Sequence, residues 1–368
     1  MSRNQWSRRR TTLTTGPAIV MIAALVACGR DTGREPARRA STNALSGGGN
    51  DDTGLVLHTV PPKETDPNIT LSLADHYAWI DSNARTRHQL FVFMPGAGSV
   101  SKDHQLVQKE AARVGYHSVG LTFATGANRA LGAMCGEKQP SEQEACYENS
   151  RLELLDGIDR SDVVNVDVPN SIYNRLTMLL QHLAKNHPHE GWSRFLKHDR
   201  PRWSRIAIAG QSLGGGQAAM IAKLHVVARV AMFSSPPDRV ERNGSFDAAA
   251  WVATHVTPAK RYWGLAHERD PLPIRTAWVS LGMAPFGPGV APEASSPPYG
   301  FTHRLVTDLV PQIAPPGAPY TFAHVSVSRD AQTPIGSDQT PLLRDAWRHM
   351  LTAEADDDDA DDDGDERE

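Results

Sequence analysis

The stretch from residue 205 to 222, RIAIAGQSLGGGQAAMIA, organises the rest of the chain. It opens with the apolar run 206–209, which is long enough for one buried strand, and it closes with the alanine-rich segment 217–222, which favours a helix. Between them lies Gly210-Gln211-Ser212-Leu213-Gly214, a G-x-S-x-G pattern. Such a serine lies at the tip of a sharp strand-to-helix turn, and the glycines remove Cβ atoms that would collide across it. The alternative to a nucleophilic serine is a glycine-rich turn whose only role is to let a helix pack closely on a sheet.

The segments on either side predict a parallel sheet. Residues 90–94 (LFVFM) read as a buried strand, residues 103–114 as a helix and residues 116–123 as a second strand. Strand, helix and strand in this order form a βαβ unit, which requires parallel strands. We therefore expect an α/β fold with a mostly parallel, doubly wound sheet. Further strand-like runs lie at residues 55–57, 76–80, 228–234, 260–266 and 303–310.

A long insertion separates the fourth strand from the strand that precedes Ser212. It runs from residue 124 to 203 and contains a helix at residues 171–185, whose leucines and isoleucine share one face and indicate packing on the sheet. The remainder of the insertion, which includes Trp192 and Phe195, is interpreted as a cap over the active site.

A nucleophilic serine needs a histidine to take its proton and a carboxylate to orient that histidine. Active groups in such sheets follow the carboxyl ends of the strands. Asp270 comes just after the strand-like run 260–266, and Asp238 is the alternative acid one strand earlier. His324 follows the last strand, whereas the competitor His303 opens its strand and would lie at the amino end of the sheet.

Taken together, PGAG at 95–98, GQSLGG at 210–215, HERDP at 267–271 and AHVS at 323–326 resemble the α/β-hydrolase superfamily. Two further stretches, RVAMFSSPPD and TP…DAWRHML, resemble a group of secreted bacterial α/β-hydrolases. The resemblance covers residues 55–352 and implies an α/β-hydrolase fold with a serine nucleophile and an Asp and His partner. It also implies an oxyanion hole made by the amide of Leu213 and that of Ala97 or Gly98.

The N-terminal residues resemble an export signal. Arginines at positions 3, 8, 9 and 10 precede the apolar run 16–27, which is short for a membrane span. The run ends in Leu25-Val26-Ala27-Cys28, which resembles the lipobox of bacterial lipoproteins and implies cleavage after residue 27 and a lipid on Cys28. An ordinary signal peptide is the alternative. Residues 28–54 are polar and glycine-rich and read as a flexible tether.

The other two cysteines, Cys135 and Cys146, form an even pair in a chain with these export features. We predict a disulfide between them, which indicates an oxidising, extracytoplasmic location. The alternatives are two unpaired thiols or a partial metal site, but neither a Cys-x-x-Cys pattern nor clustered histidines accompany these cysteines.

Charge excludes nucleic acid as a partner. Residues 353–368 form an acidic tail, interpreted as disordered, and without this tail and the N-terminal arginines the body carries about +2.

The sequence therefore supports an extracytoplasmic, lipid-anchored serine hydrolase that cleaves small carboxylic esters or related acyl compounds, with no metal or organic cofactor. Two alternatives stay open: a peptidase or thioesterase on the same triad, and a non-catalytic lipoprotein that binds a ligand or partner. Substrate identity and oligomeric state are not determined by the sequence.

Overall fold

A central sheet of eight strands forms the framework of the computed structural model, which describes residues 52–125 and 130–354 within one compact unit. The strand order is β1-β2-β4-β3-β5-β6-β7-β8, and only the pairings of β2 with β1 and with β4 are antiparallel. The predicted α/β class with a mostly parallel sheet is thus confirmed. The strands are β1 (Leu55–Val60), β2 (His76–Asp81), β3 (Leu90–Met94), β4 (His117–Gly120), β5 (Ile206–Gln211), β6 (Arg229–Phe233), β7 (Tyr262–His267) and β8 (Arg304–Thr307).

Helices cover both faces of this sheet. On one face, side chains of α5 and α6 pack against Leu90, Val92 and Met94 of β3, and on the other, α2 and α9 pack against Phe91 and Phe93. Burial on both faces explains why the central strands read as continuous apolar runs. The helices are α1 (Pro62–Thr65), α2 (Gln105–Arg113), α3 (Leu131–Gly136), α4 (Pro140–Asp156), α5 (Ile172–Asn186), α6 (Leu213–Leu224), α7 (Ile274–Ser280), α8 (Ala323–Ser326) and α9 (Arg344–Thr352).

Two short hairpins lie outside the main sheet. Arg239–Arg242 pairs with Ser245–Ala248, and Leu196–Lys197 pairs with Arg200–Pro201. None of the helices in residues 52–125 and 130–354 is long and apolar enough to span a bilayer.

The insertion between β4 and β5 carries α3, α4 and α5. The predicted disulfide is present: Cys135 of α3 is bonded to Cys146 of α4, with their Cα atoms 5.6 Å apart. The apolar face of α5 is buried against the sheet, as its periodicity predicts.

Trp192 and Phe195 do not cap the site. Both side chains are fully buried and contact the ring of His117, which is the first residue of β4. In a parallel sheet this places them at the amino edge, opposite the turn that follows β5. Their apolar bulk fills the core below α5 instead of covering a substrate.

The predicted strands at 116–123 and 303–310 are longer than those observed, His117–Gly120 and Arg304–Thr307. β8 ends opposite His267, the last residue of β7, so its length is set by the neighbouring strand and not by its own amino-acid pattern. The predicted signal peptide, Cys28 and nearly all of the predicted tether lie outside the described residues, as does the acidic run 355–368.

The buried imidazole of His76 makes the stability of this fold depend on pH. The side chain is fully buried at the start of β2, and its Nδ1 accepts a hydrogen bond from the amide of Thr122 at 3.1 Å. Burial, assisted by the positive charge of Arg175, lowers the pKa of His76 to about 3. Because an unfolded histidine has a pKa of about 6.5, protons favour the unfolded chain as the pH falls below that value.

We expect His76 to lower the free energy of unfolding by about 1 kcal/mol per pH unit as the pH falls from 6 to 5. Denaturant unfolding of wild-type and His76→Asn protein from pH 7 to pH 5 measures this. The variant should show a shallower dependence of unfolding free energy on pH, whatever its stability at pH 7. His189→Asn, at an exposed histidine, is the matched control and should keep the wild-type slope. Equal slopes in His76→Asn and wild type would contradict the prediction.

Candidate active site

Ser212 occupies a strained turn between β5 and α6. Its φ of 51° and ψ of −112° lie in a region that non-glycine residues rarely adopt. Its amide donates to the Phe233 carbonyl at 2.9 Å, and its own carbonyl accepts from the Ser235 hydroxyl and the Gly216 amide. These bonds fix the backbone so that the side chain of Ser212 stays partly exposed at the carboxyl edge of the sheet.

The glycines around Ser212 are required by contacts between backbones. A Cβ at Gly210 would lie 2.4 Å from the carbonyl carbon of Gly214, and one at Gly214 would lie 2.1 Å from the carbonyl oxygen of Met94. A Cβ at Gly215 would collide with the side chain of Ser235. The turn is therefore packed tightly against the ends of β3 and β6.

The structure brings Ser212, His324 and Asp270 together. Nε2 of His324 lies 2.8 Å from Ser212 Oγ, and its Nδ1 lies 2.8 Å from Asp270 Oδ2 and 3.1 Å from Oδ1. Because a carboxylate only accepts hydrogen bonds, Nδ1 carries the proton and the Nε2 lone pair faces the serine hydroxyl. The Asp270 side chain is 3% exposed and that of His324 is 21% exposed. This arrangement can remove a proton from Ser212.

Asp270 is positioned by the turn that leaves β7. Its amide donates to the carbonyl of His267, the last residue of that strand, and its Oδ1 accepts from the amide of Leu272 at 2.9 Å. The imidazole of His267 is buried; it accepts from the Arg269 amide and contacts the Leu309 carbonyl at 3.0 Å. The turn thus joins the ends of β7 and β8 and aims the carboxylate at His324.

His324 lies on the four-residue helix α8, which depends on neighbours for its position. The side-chain amide of Gln211 donates to the His324 carbonyl at 3.2 Å, and a Cβ on Gly96 would lie 2.0 Å from the Gln211 side-chain oxygen. Gln211 therefore joins three segments: the end of β5, the loop after β3 and the helix that carries His324.

A buried histidine and a half-buried aspartate anchor the chain that follows α8. His104 contacts the Ser328 carbonyl at 3.0 Å, and Asp330 accepts the amides of Gln105 and Leu106 at the start of α2. Burial lowers the pKa of His104 to about 4 and raises that of Asp330 to about 7. The segment carrying His324 is thereby tied to the helix behind the loop at 95–98.

The alternative acid, Asp238, serves a different contact. Its two oxygens accept hydrogen bonds from Arg151 of α4 at 2.5 and 2.6 Å, and Oδ2 also accepts from Trp251. Arg151 is fully buried and donates to the Leu213 carbonyl at 3.2 Å. This ion pair braces the first turn of α6 and does not contact His324.

His303 is also remote from the serine. Its Nδ1 contacts the Tyr262 carbonyl at 2.9 Å, and its ring stacks between Trp263 and Phe286. Tyr262 is the first residue of β7, so His303 lies at the amino edge, where its position before β8 predicts it.

The amides predicted for an oxyanion hole belong to Leu213, which follows Ser212, and to the loop after β3, whose Pro95 carbonyl lies against Gly214. Leu213 is the first residue of α6, where the helix offers no acceptor for its amide. Within residues 52–125 and 130–354, the amides of Ala97 and Gly98 donate to no protein group. Ser99 fixes this loop, because its hydroxyl donates to Asp103 at 2.8 Å and contacts His104 at 3.0 Å.

Two of the cavities formed by the described residues lie at opposite edges of the sheet. A cavity of about 650 Å³ opens beside His303 and Phe286 at the amino edge, while a cleft of about 450 Å³ runs along Asp270, Leu272 and Ile274.

The sequence matches no protein-family model, and no curated protein is significantly similar to it. The chemistry of the site is therefore inferred from the three side chains and the strained turn.

Sequence reasoning missed three supporting residues, Gln211, Arg151 and His104. Gln211 stands inside the G-x-S-x-G pattern at a position where any residue is allowed, so its partner 113 positions away gives no local signal. Arg151 belongs to a helix of the insertion, and His104 to a short turn before α2. The sequence signal for these residues is no stronger than the presence of a charged or polar residue type at each position.

Asp238 and Asp270 should differ in their effect on stability. Asp238→Asn leaves the buried Arg151 guanidinium without its counter-charge, which should lower the unfolding free energy by about 3–5 kcal/mol. Asp270→Asn keeps an acceptor for the Leu272 amide and weakens one bond to His324, which should cost about 1–2 kcal/mol. Denaturant unfolding of the two variants measures both values. A larger loss in Asp270→Asn than in Asp238→Asn would refute this assignment.

Proposed function

We propose that this chain is a serine hydrolase of the α/β-hydrolase fold that cleaves carboxylic esters or related acyl compounds. The observation that carries the proposal is the 2.8 Å contact between His324 Nε2 and the hydroxyl of Ser212 on a residue with positive φ. A structural serine has no need of a strained turn, an exposed hydroxyl and a histidine held by a buried carboxylate at once.

The arrangement along the chain supports the α/β-hydrolase assignment. The serine follows a parallel strand and opens a helix, and the acid and the histidine come later in the order Ser, Asp, His. The loop after β3 lies beside the serine turn, since Gly214 contacts the Met94 carbonyl. This is the loop from which α/β-hydrolases take an oxyanion-hole amide.

In the proposed mechanism, Ser212 Oγ attacks the carbonyl carbon of the ester while its proton passes to His324 Nε2. Asp270 keeps the imidazole in the correct tautomer and stabilises the positive charge that forms on it. The oxyanion of the tetrahedral intermediate accepts hydrogen bonds from the amide of Leu213 and that of Ala97 or Gly98. His324 then protonates the leaving alcohol, and water, deprotonated by the same imidazole, hydrolyses the acyl-enzyme.

The location proposed for this activity is outside the cytoplasm. The Cys135–Cys146 disulfide supports an oxidising compartment. We further propose that the mature chain is held at a membrane by a lipid on Cys28, and that its substrate is a small acyl compound and not a nucleic acid. The thiol of Cys28 and its surroundings lie outside the described residues.

Covalent labelling tests the nucleophile directly. A fluorophosphonate probe should label wild-type protein at one serine and should not label Ser212→Ala, because only a hydroxyl activated by an adjacent imidazole reacts with it. Ser204→Ala, at an exposed serine just before β5, is the matched control and should be labelled like wild type. Equal labelling of Ser212→Ala and wild type would eliminate Ser212, and no labelling of either would favour a non-catalytic binding protein.

The partners of Ser212 should act as one unit. On a panel of p-nitrophenyl acyl esters, Asp270→Asn and His324→Ala should each lower kcat by about 10³–10⁴, and the double variant should be no slower than the worse single variant. His303→Ala, at the remote histidine, should keep kcat within about tenfold. Comparison with thioesters and peptide anilides separates esterase, thioesterase and peptidase. A large loss in His303→Ala with an active His324→Ala would overturn the proposal.

A further inference from the structure

A second cluster of chemically active side chains lies outside the candidate active site. His58 stands in the middle of β1, and His187 and Glu190 lie in the turn that follows α5. Each offers one ligand atom, and these atoms all lie within 4.8 Å of one another. Across residues 52–125 and 130–354, no other three histidine, cysteine or acidic side chains come together in this way.

The distances suit one small metal ion. Nε2 of His58 lies 2.9 Å from both carboxylate oxygens of Glu190, and Nδ1 of His187 lies 4.0 Å from Oε1. A tetrahedral Zn²⁺ with bonds of about 2.0–2.1 Å separates its ligand atoms by about 3.3 Å. The observed separations of 2.9 Å and 4.0 Å lie below and above this value. A rotation of the His187 ring, which stacks on His58 at 3.6 Å and is 30% exposed, would close the set.

The carboxylate of Glu190 is held in place by groups behind it. Its Oε2 accepts a hydrogen bond from the indole of Trp192 at 2.6 Å, and its backbone carbonyl contacts Nε2 of His117 at 2.7 Å. Trp192 is fully buried, so the donor cannot move away. A carboxylate oriented by a hydrogen-bonded second layer is typical of metal ligands, because that layer fixes the ligand before the ion arrives.

The cluster is also open to solvent. The side chains of His58, Glu190 and His187 are 15%, 21% and 30% exposed, so an ion can enter and a water molecule can complete its coordination. Two imidazoles and one carboxylate are the donors that Zn²⁺ and neighbouring transition metals prefer, whereas Ca²⁺ and Mg²⁺ require oxygen ligands.

We propose that His58, His187 and Glu190 bind one divalent transition-metal ion, with Zn²⁺ as the expected occupant. The ion ties β1, an edge strand of the sheet, to the turn after α5. It lies on the side of His117, at the start of β4, whereas Ser212 follows the end of β5. The site therefore stabilises the fold and takes no part in the chemistry at Ser212.

Titration of ZnCl₂ into the full chain, prepared without a polyhistidine tag and treated with chelator, tests this. We expect one Zn²⁺ per chain and a rise in Tm of about 5 °C at a hundredfold excess over Kd. Co²⁺ in its place should give the visible absorption of a tetrahedral complex. His187→Gln should weaken binding about a hundredfold or more, and Trp192→Phe, which removes the donor to Glu190, about tenfold.

His189→Gln is the matched control, because it removes an exposed histidine two positions from His187 and should leave the affinity unchanged. The Tm of chelator-treated His187→Gln should stay near that of wild type, which separates loss of the ion from loss of the fold. Wild-type protein that binds no Zn²⁺ at 100-fold molar excess would overturn the proposal. Unaltered affinity in His187→Gln would overturn it as well, since the ion would then be held elsewhere.

Discussion

The strained backbone of Ser212 is the constraint on which the rest of the structure depends. Holding a non-glycine residue at a φ of 51° costs on the order of 1–3 kcal/mol, and the surrounding contacts must hold it there. The amide and carbonyl of Ser212 are bonded to the chain that ends β6, and Gly214 lies against the chain that ends β3. Only parallel strands that end at one edge place all of these backbones around a single turn.

The same edge gathers side chains from distant parts of the sequence. Asp270 arrives from the end of β7, and His324 from a short helix with little support of its own. Gln211 compensates for this by joining the His324 carbonyl to the end of β5. The buried pair Arg151–Asp238 does the same for the first turn of α6, and it links that turn to the helix that also carries Cys146. The insertion thus supports the site from behind.

The sequence predicted the features that have a local pattern. The turn at Ser212, the mostly parallel sheet, and the positions of Asp270 and His324 after their strands follow from short motifs and strand order. The Cys135–Cys146 bond follows from the even number of cysteines that remain beside Cys28. Other features depend on neighbours far along the chain. The buried positions of Trp192 and Phe195 are decided by the space around His117, and aromatic side chains in an insertion suit a cap and a core equally well. His58 and Glu190 are 132 positions apart, and neither segment carries a local sequence pattern that predicts their contact.

The bond between Gln211 and the His324 carbonyl has a consequence for how the protein comes into being. Synthesis is vectorial, and Ser212 precedes His324 by 112 positions. A contact between two residues so far apart forms late in folding, because the chain between them must lose conformational entropy before the contact can form. In a nascent chain that has already formed β5 and α6, the hydroxyl of Ser212 therefore lacks its contact with Nε2 of His324 until the segment that carries this histidine has docked.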